Sequence, residues 1–198
     1  REPLRRGRAR GHRPLQGTTP TGTNAITTLT PALLGITFGT ASDDIIQGSA
    51  ENDSIDGLAG SDEVFGEDGD DSLEGNAGDD YLDGGPGSDS LIGGAGDDIL
   101  DDEFGNNLLS GGDGNDEVYG GNDADSIAGE GGNDSLFGDE ADDSIAGGAG
   151  SDVADGEAGN DTVTGGEGND ALFGGLDNDS LNGASAATHF TAMTAAIP

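Results

Sequence analysis

The sequence predicts an all-β fold: a parallel solenoid of about eight coils, each built from two nine-residue units. Three observations carry that expectation. From Gly39 to Asn182 a nine-residue unit recurs sixteen times without insertion or deletion, the mark of a stacked-repeat architecture. One position of the unit is acidic almost throughout: Asp44, Asp53, Asp62, Asp71, Asp80, Asp89, Asp98, Asp116, Asp125, Asp134, Asp143, Asp152, Asp161, Asp170 and Asp179, with the amide Asn107 as the single departure. Two residues after each stands an aliphatic, from Ile46, Ile55 and Val64 through to Leu172 and Leu181, shortened only at Ala154.

The unit reads GGxGxDxUx, with U a large aliphatic; Gly94-Ala95-Gly96-Asp97-Asp98-Ile99-Leu100 is a clean copy. Its first six residues read as a loop, because glycines at positions 1, 2 and 4 favour positive φ and tight turns. The last three read as a minimal strand whose middle side chain points inward. Two units close one coil, and coils stack through parallel pairing at about 4.8 Å, giving a rod about 38 Å long.

Four segments follow in order. Residues 1–20 are rich in Arg, Gly and Pro, have no hydrophobic period and read as a disordered tail. The basic start lacks the apolar core of a signal peptide. With Arg1 and not Met in first place, the chain is read as a fragment or as carrying a mis-assigned start. Residues 21–38 are Thr-rich and then apolar. The spacing of Leu34, Ile36 and Phe38 suits a short strand burying those side chains, and the segment is read as an N-terminal cap. Residues 39–183 are the array. Residues 184–198 have lost the repeat, with Thr188 in the next aspartate slot, and read as a tail or cap.

Composition narrows the partners. The chain holds 41 Asp and Glu against six Lys and Arg. The six are all arginines within the first thirteen residues, leaving 40 acids and no base beyond them. Such a surface repels nucleic acid and anionic membrane and attracts cations. With no Cys there is neither a disulfide framework nor a thiolate metal site. No apolar run is long enough for a membrane-spanning helix. Forty glycines and 4% aromatics would leave a chain disordered unless something supplies the missing stability.

The aspartates supply a reason. Residues two units apart share an edge, so one column holds Asp44, Asp62, Asp80, Asp98, Asp116, Asp134, Asp152 and Asp170. The other holds Asp53, Asp71, Asp89, Asn107, Asp125, Asp143, Asp161 and Asp179. Carboxylates about 5 Å apart disfavour each other's ionisation, and a hard divalent cation between rungs removes that objection. Ca²⁺ accepts six or more oxygens in flexible geometry, whereas Mg²⁺ demands a tighter octahedron and Zn²⁺ or Cu²⁺ would call for His or Cys. His12 and His189 both lie outside the array. Two columns of eight leave up to about 14 gaps for calcium. The EF-hand pattern has no match.

The unit resembles the RTX, or haemolysin-type calcium-binding, nonapeptide repeat. The extended pattern D-x-[LI]-x4-G-x-D-x-[LI]-x-G-G-x3-D is met by Asp71, Leu73, Gly78, Asp80, Leu82, Gly84, Gly85 and Asp89, and again one unit later. The resemblance implies a right-handed parallel β-roll, calcium bridging its turns at the fifteen aspartates above, and type I secretion of a bacterial protein that folds outside the cell.

The two columns differ in sequence. Counting units from Gly39, the odd-numbered ones keep Gly at position 4 except at Ser42, while the even-numbered ones depart at Glu51, Asp123, Ala141 and Asp177. Glu51 and Ala141 are expected to be the strained replacements, because Asp tolerates left-handed φ better. The first column is therefore expected to bind calcium more tightly. Unit 102–110 reads as the weakest, having lost both its first glycine and its aspartate. Phe65, Tyr119, Phe137 and Phe173 share position 9 of odd-numbered units, a strip that shields backbone or docks a partner.

Enzymatic motifs are absent: there is no HExxH and no GxSxG, and the 38 residues before the array are too few for a catalytic domain. The sequence reads as a non-enzymatic calcium module, with a piece detached from a secreted enzyme or toxin and a surface adhesin as alternatives. Any partner beyond calcium, whether an upstream domain or a surface ligand, is left open by the residues.

Overall fold

The computed structural model describes residues 26–28, 36–183 and 189–191. The described residues form nineteen short strands and no helix. Ten make one sheet: β1 (Ile26–Thr28), β3 (Ile45–Gln47), β5 (Glu63–Phe65), β7 (Tyr81–Asp83), β9 (Ile99–Asp101), β11 (Glu117–Gly121), β13 (Ser135–Asp139), β15 (Val153–Asp155), β17 (Ala171–Phe173) and β19 (His189–Thr191). The other nine make the second: β2 (Ile36–Phe38), β4 (Ser54–Asp56), β6 (Ser72–Ala77), β8 (Ser90–Ala95), β10 (Leu108–Asp113), β12 (Ser126–Gly131), β14 (Ser144–Ala149), β16 (Thr162–Glu167) and β18 (Ser180–Asn182). The chain alternates between sheets at every strand, and all pairing is parallel, giving a β-solenoid of about eight turns.

Register follows the period. Leu100, Val118 and Leu136 sit side by side on β9, β11 and β13, as do Leu91, Leu109 and Ile127 on β8, β10 and β12. A two-unit step superimposes identical backbone on identical backbone, so a one-residue slip would turn the aliphatic outward. The core is the U column alone, Ile46 through Leu172, with every member at most 2% exposed and Leu181 packed partly buried at its end. Only β1 departs from the step, pairing Ile26 with Ile45.

Two expectations need correction. The loop half of the unit is not all loop: β6, β8, β10, β12, β14 and β16 each run six residues, through the first three positions of the following odd-numbered unit. The cause is the stacking itself, since any extended backbone stretch meets its own copy two units away and bonds to it; Gly94 pairs with Gly112 in this way. The second correction concerns β2. Thr37 is its buried residue, while Ile36 and Phe38 are 52% and 62% exposed. Thr37 lies two units before Ile55 and pairs with it, so the register of the array outweighs the local apolar spacing. Leu34 and residues 1–20 lie outside the described residues. So do 184–188 and 192–198, on either side of β19, which continues the two-unit step with Phe190 in register with Leu172.

The aromatic strip is broken into pieces. Tyr119 and Phe137 stack with ring centroids 5.1 Å apart, Phe65 packs on Tyr81 at 5.8 Å, and Asp155 lies between Phe137 and Phe173 in the sheet. No described helix is long and apolar enough to cross a membrane.

Candidate metal centre

Each turn between the sheets places its position-6 aspartate under the loop, not on it. Asp44 through Asp170 are between 1% and 6% exposed; Asp179, in the last unit, is half-buried. The stacking of coils holds each of these residues twice, once by its side chain and once by its backbone. In all fourteen gaps between successive rungs, the backbone N–H at position 6 donates to Oδ1 of its counterpart in the next coil, at 2.7–3.2 Å. The carbonyl of the same residue accepts the position-7 N–H of the next coil, as Asp44 does from Glu63 at 2.9 Å. The result is two continuous ladders of oriented carboxylates.

The second carboxylate oxygen is left over. In Asp62, Asp71, Asp80, Asp89, Asp98, Asp116, Asp125, Asp134, Asp143, Asp152, Asp161 and Asp170 the buried Oδ2 has no hydrogen-bond partner. A buried anionic oxygen without a partner is strongly unfavourable. It tucks over the position-1 glycine of its own unit, where a Cβ would not fit: at Gly57 it would lie 2.6 Å from Asp62 Oδ2 and 3.1 Å from the Gly75 carbonyl oxygen. The same close approach recurs at Gly75 and Gly129, made by the unit's own Oδ2 and by the position-1 carbonyl of the next coil. Glycine at position 1 is thus required for space in units whose position 6 is an aspartate.

The carboxyl groups register their surroundings. Burial pushes Asp62, Asp71 and Asp152 up to about 6 and Asp98, Asp125 and Asp143 up to about 7, partly offset by the backbone N–H that each accepts. Adjacent carboxylates add to the rise, Asp80 and Asp44 on Asp62 among them. Each is a carboxylate that the fold disfavours in its charged form until a cation compensates it.

The donor set suits a hard cation. It consists of oxygens only, a carboxylate Oδ2 and backbone carbonyls, a set that suits the irregular coordination of Ca²⁺ better than the strict octahedron of Mg²⁺. Among the described residues no three His, Cys, Asp or Glu side chains converge to hold a metal unaided, so backbone carbonyls must complete any coordination shell. The first rungs differ: Asp44 Oδ2 accepts from the Thr40 N–H and hydroxyl at 2.6 and 2.8 Å, and Asp53 Oδ2 from those of Ser49 at 2.7 and 2.9 Å. There the loop's own groups satisfy Oδ2, and in Asp44 it is the buried Oδ1 that has no partner.

Sequence reading missed a second ladder on the solvent side. At position 5, Asp, Asn and Ser side chains accept the N–H of the same position in the next coil, as Asp79 does from Asp97 at 3.0 Å and Asn115 from Asn133 at 3.0 Å. The signal was present, since that position is Asp, Asn or Ser in every unit but the one with Ala124. Also missed were the non-glycine residues at position 2 with positive φ: Leu58, Glu67, Asn76, Glu130, Asp139 and Glu157. At position 4 the left-handed departures are Ala141 (φ 82°) and Asp177 (φ 77°). Glu51, expected to be strained, does not adopt positive φ, so that expectation is corrected.

A parallel β-solenoid whose turns align buried carboxylates defines the class of protein. The sequence model of the RTX calcium-binding nonapeptide repeat (four copies) matches residues 38–73, 65–100, 92–127, 103–136, 119–154 and 147–181. Together these span most of the chain, which belongs to this calcium-binding repeat family; the family is not one of enzymes. No curated protein matches the chain.

Proposed function

We propose that this chain is the calcium-binding module of a secreted bacterial protein and that it folds when it binds calcium outside the cell. The observation that carries the reading is the row of twelve buried aspartates with an unpartnered Oδ2. The ligands are the position-6 aspartates from Asp44 to Asp179 together with loop carbonyls, in up to about fourteen gaps between rungs.

The core is one side chain deep per strand, which is thin against an ordering cost of about 1–2 kcal/mol per residue. Mutual repulsion within the ladders adds to the deficit. Bound calcium supplies the positive charge that the ladders lack. A single site at several times its Kd contributes only about 1 kcal/mol by mass action. Sites coupled through shared rungs add up steeply, as neighbour terms do in any stacked array. Extracellular calcium modules work at about 10⁻⁴–10⁻³ M, so the chain would stay unfolded in the cytosol, suited to threading through a type I secretion channel, and would order outside.

Far-UV circular dichroism against calcium tests this. The β signal is expected to be absent in chelator and to appear cooperatively with added calcium; a fully formed signal in excess chelator defeats the proposal.

A further inference from the structure

Unit 102–110 breaks the repeat twice, with Asp102 in place of the position-1 glycine and Asn107 in place of the aspartate. In sequence these read as two losses. In the structure they form one exchange.

Asn107 keeps the mechanical half of the aspartate's role. Its Oδ1 accepts the Asp89 N–H at 2.9 Å, and its N–H donates to Asp125 Oδ1 at 2.7 Å. The other half is gone, because its buried Nδ2 has no hydrogen-bond partner and an amide NH₂ has no lone pair to offer a cation. Asp102, 1% exposed, is as deeply buried as the ladder aspartates; neither of its oxygens meets hydrogen-bond geometry, although the Phe104 N–H and the Asp89 carboxyl are close enough to act on it.

Its carboxylate lies over Gly84, against the Cα that carries no side chain. A Cβ there would lie 2.5 Å from Asp89 Oδ2 and nearer still to Asp102 Oδ2. Elsewhere the oxygen in that second place is a carbonyl: Gly93 O at 2.7 Å from a Cβ on Gly75, and Gly111 O at 2.6 Å from one on Gly93. Asp102 therefore sets a carboxylate oxygen where the coils at Gly75 and Gly93 set a neutral carbonyl, beside the orphan oxygen of Asp89.

We propose that Asp102 is a calcium ligand of the second column, supplying between units 84–92 and 102–110 the carboxylate that Asn107 lacks. The inference rests on the calcium reading above. The competing arrangement, a proton shared between Asp102 and Asp89, requires no ion.

The test is calcium bound per chain, measured on the full chain by equilibrium dialysis and elemental analysis. Asp102→Asn is expected to lose one ion relative to the unsubstituted chain, and the double variant Asp102→Gly/Asn107→Asp to regain it. An unchanged count in Asp102→Asn overturns the assignment of Asp102 and leaves the calcium fold standing. No uptake by the unsubstituted chain overturns both. Should Asp102→Asn fail to fold, a crystal of the unsubstituted calcium-loaded chain decides. Anomalous density within about 2.3–2.6 Å of the Asp102 carboxylate supports the assignment, and its absence there overturns it.

Discussion

The edge formed by the odd-numbered units and the edge formed by the even-numbered units carry the same aspartate ladder on different backbones. Along the odd edge, the position-4 N–H groups of Gly60, Gly78, Gly96, Gly114, Gly132 and Gly150 each donate to the position-3 carbonyl of the next coil, at 2.7–2.9 Å without a gap. Along the even edge, only Gly69 and Gly159 make that bond, at 3.1 and 3.4 Å. The position-4 glycines of the odd edge from Gly60 to Gly168 all have φ between 126° and 148°, whereas the even edge mixes Glu51, Asp123, Ala141 and Asp177 with glycine. The side-chain ladder survives this variation because it depends on the two-unit step alone. The backbone ladder does not, because it depends on each loop having the same dihedral angles.

The broadest expected effect treats both edges alike. Asp62, Asp98 and Asp152 on one edge and Asp71, Asp125 and Asp143 on the other are raised from 3.8 to about 6–7. A carboxyl raised on folding favours the fold when protonated, fully below about pH 3.8, and that contribution is lost as pH rises through about 6–7. In chelator, acidification from pH 7.5 to about 5 should therefore restore part of the β signal in circular dichroism. With calcium present, the midpoint concentration should rise over the same descent, because ligands must be deprotonated. No gain on acidification would remove burial as the cause of the proposed calcium requirement.

Next in size is a substitution that separates the edges. At Gly114, with φ 148°, an added Cβ would overlap the Gly96 carbonyl oxygen. Gly114→Ala should cost about 2–4 kcal/mol of the calcium-loaded fold in denaturant titration. Glu51→Ala, at the same position on the even edge but without positive φ, should stay within about 0.5 kcal/mol. Equal losses would break the comparison. The uniform edge is also expected to hold calcium more tightly. Crystals grown at limiting calcium should show fuller occupancy beside Asp80, Asp98, Asp116 and Asp134 than beside Asp125, Asp143 and Asp161. The reverse order would sink the inequality.

The smallest effect sharpens the picture within the even edge. Ala141→Gly relieves a left-handed alanine (φ 82°) and should stabilise by about 0.5–1 kcal/mol. Glu51→Gly should lose about the same through the freer unfolded chain. A gain at Glu51 would mean that it is strained after all.

Much of the fold is set by periodicity alone. One acid and one aliphatic per nine residues, in phase through sixteen units, leave only a solenoid in which equivalent residues stack. The U-column core and the two aspartate columns followed from that spacing, because a constant step fixes which residues share an edge. What the step cannot convey is the course of the backbone between its fixed points. Whether a loop extends into the sheet, as in β10, or whether Glu51 takes positive φ, depends on pairing with a neighbour two units away and not on the residue's own preference. The pairing of Asp102 with Asp89 belongs to the same category. The two stand in different units of the sequence, and only the stacking of coils brings their carboxylates together over Gly84. Position by position, the sequence recorded a lost glycine and a lost aspartate; the tertiary structure decided that the two changes meet, because side-chain direction and burial exist only once the coils are stacked.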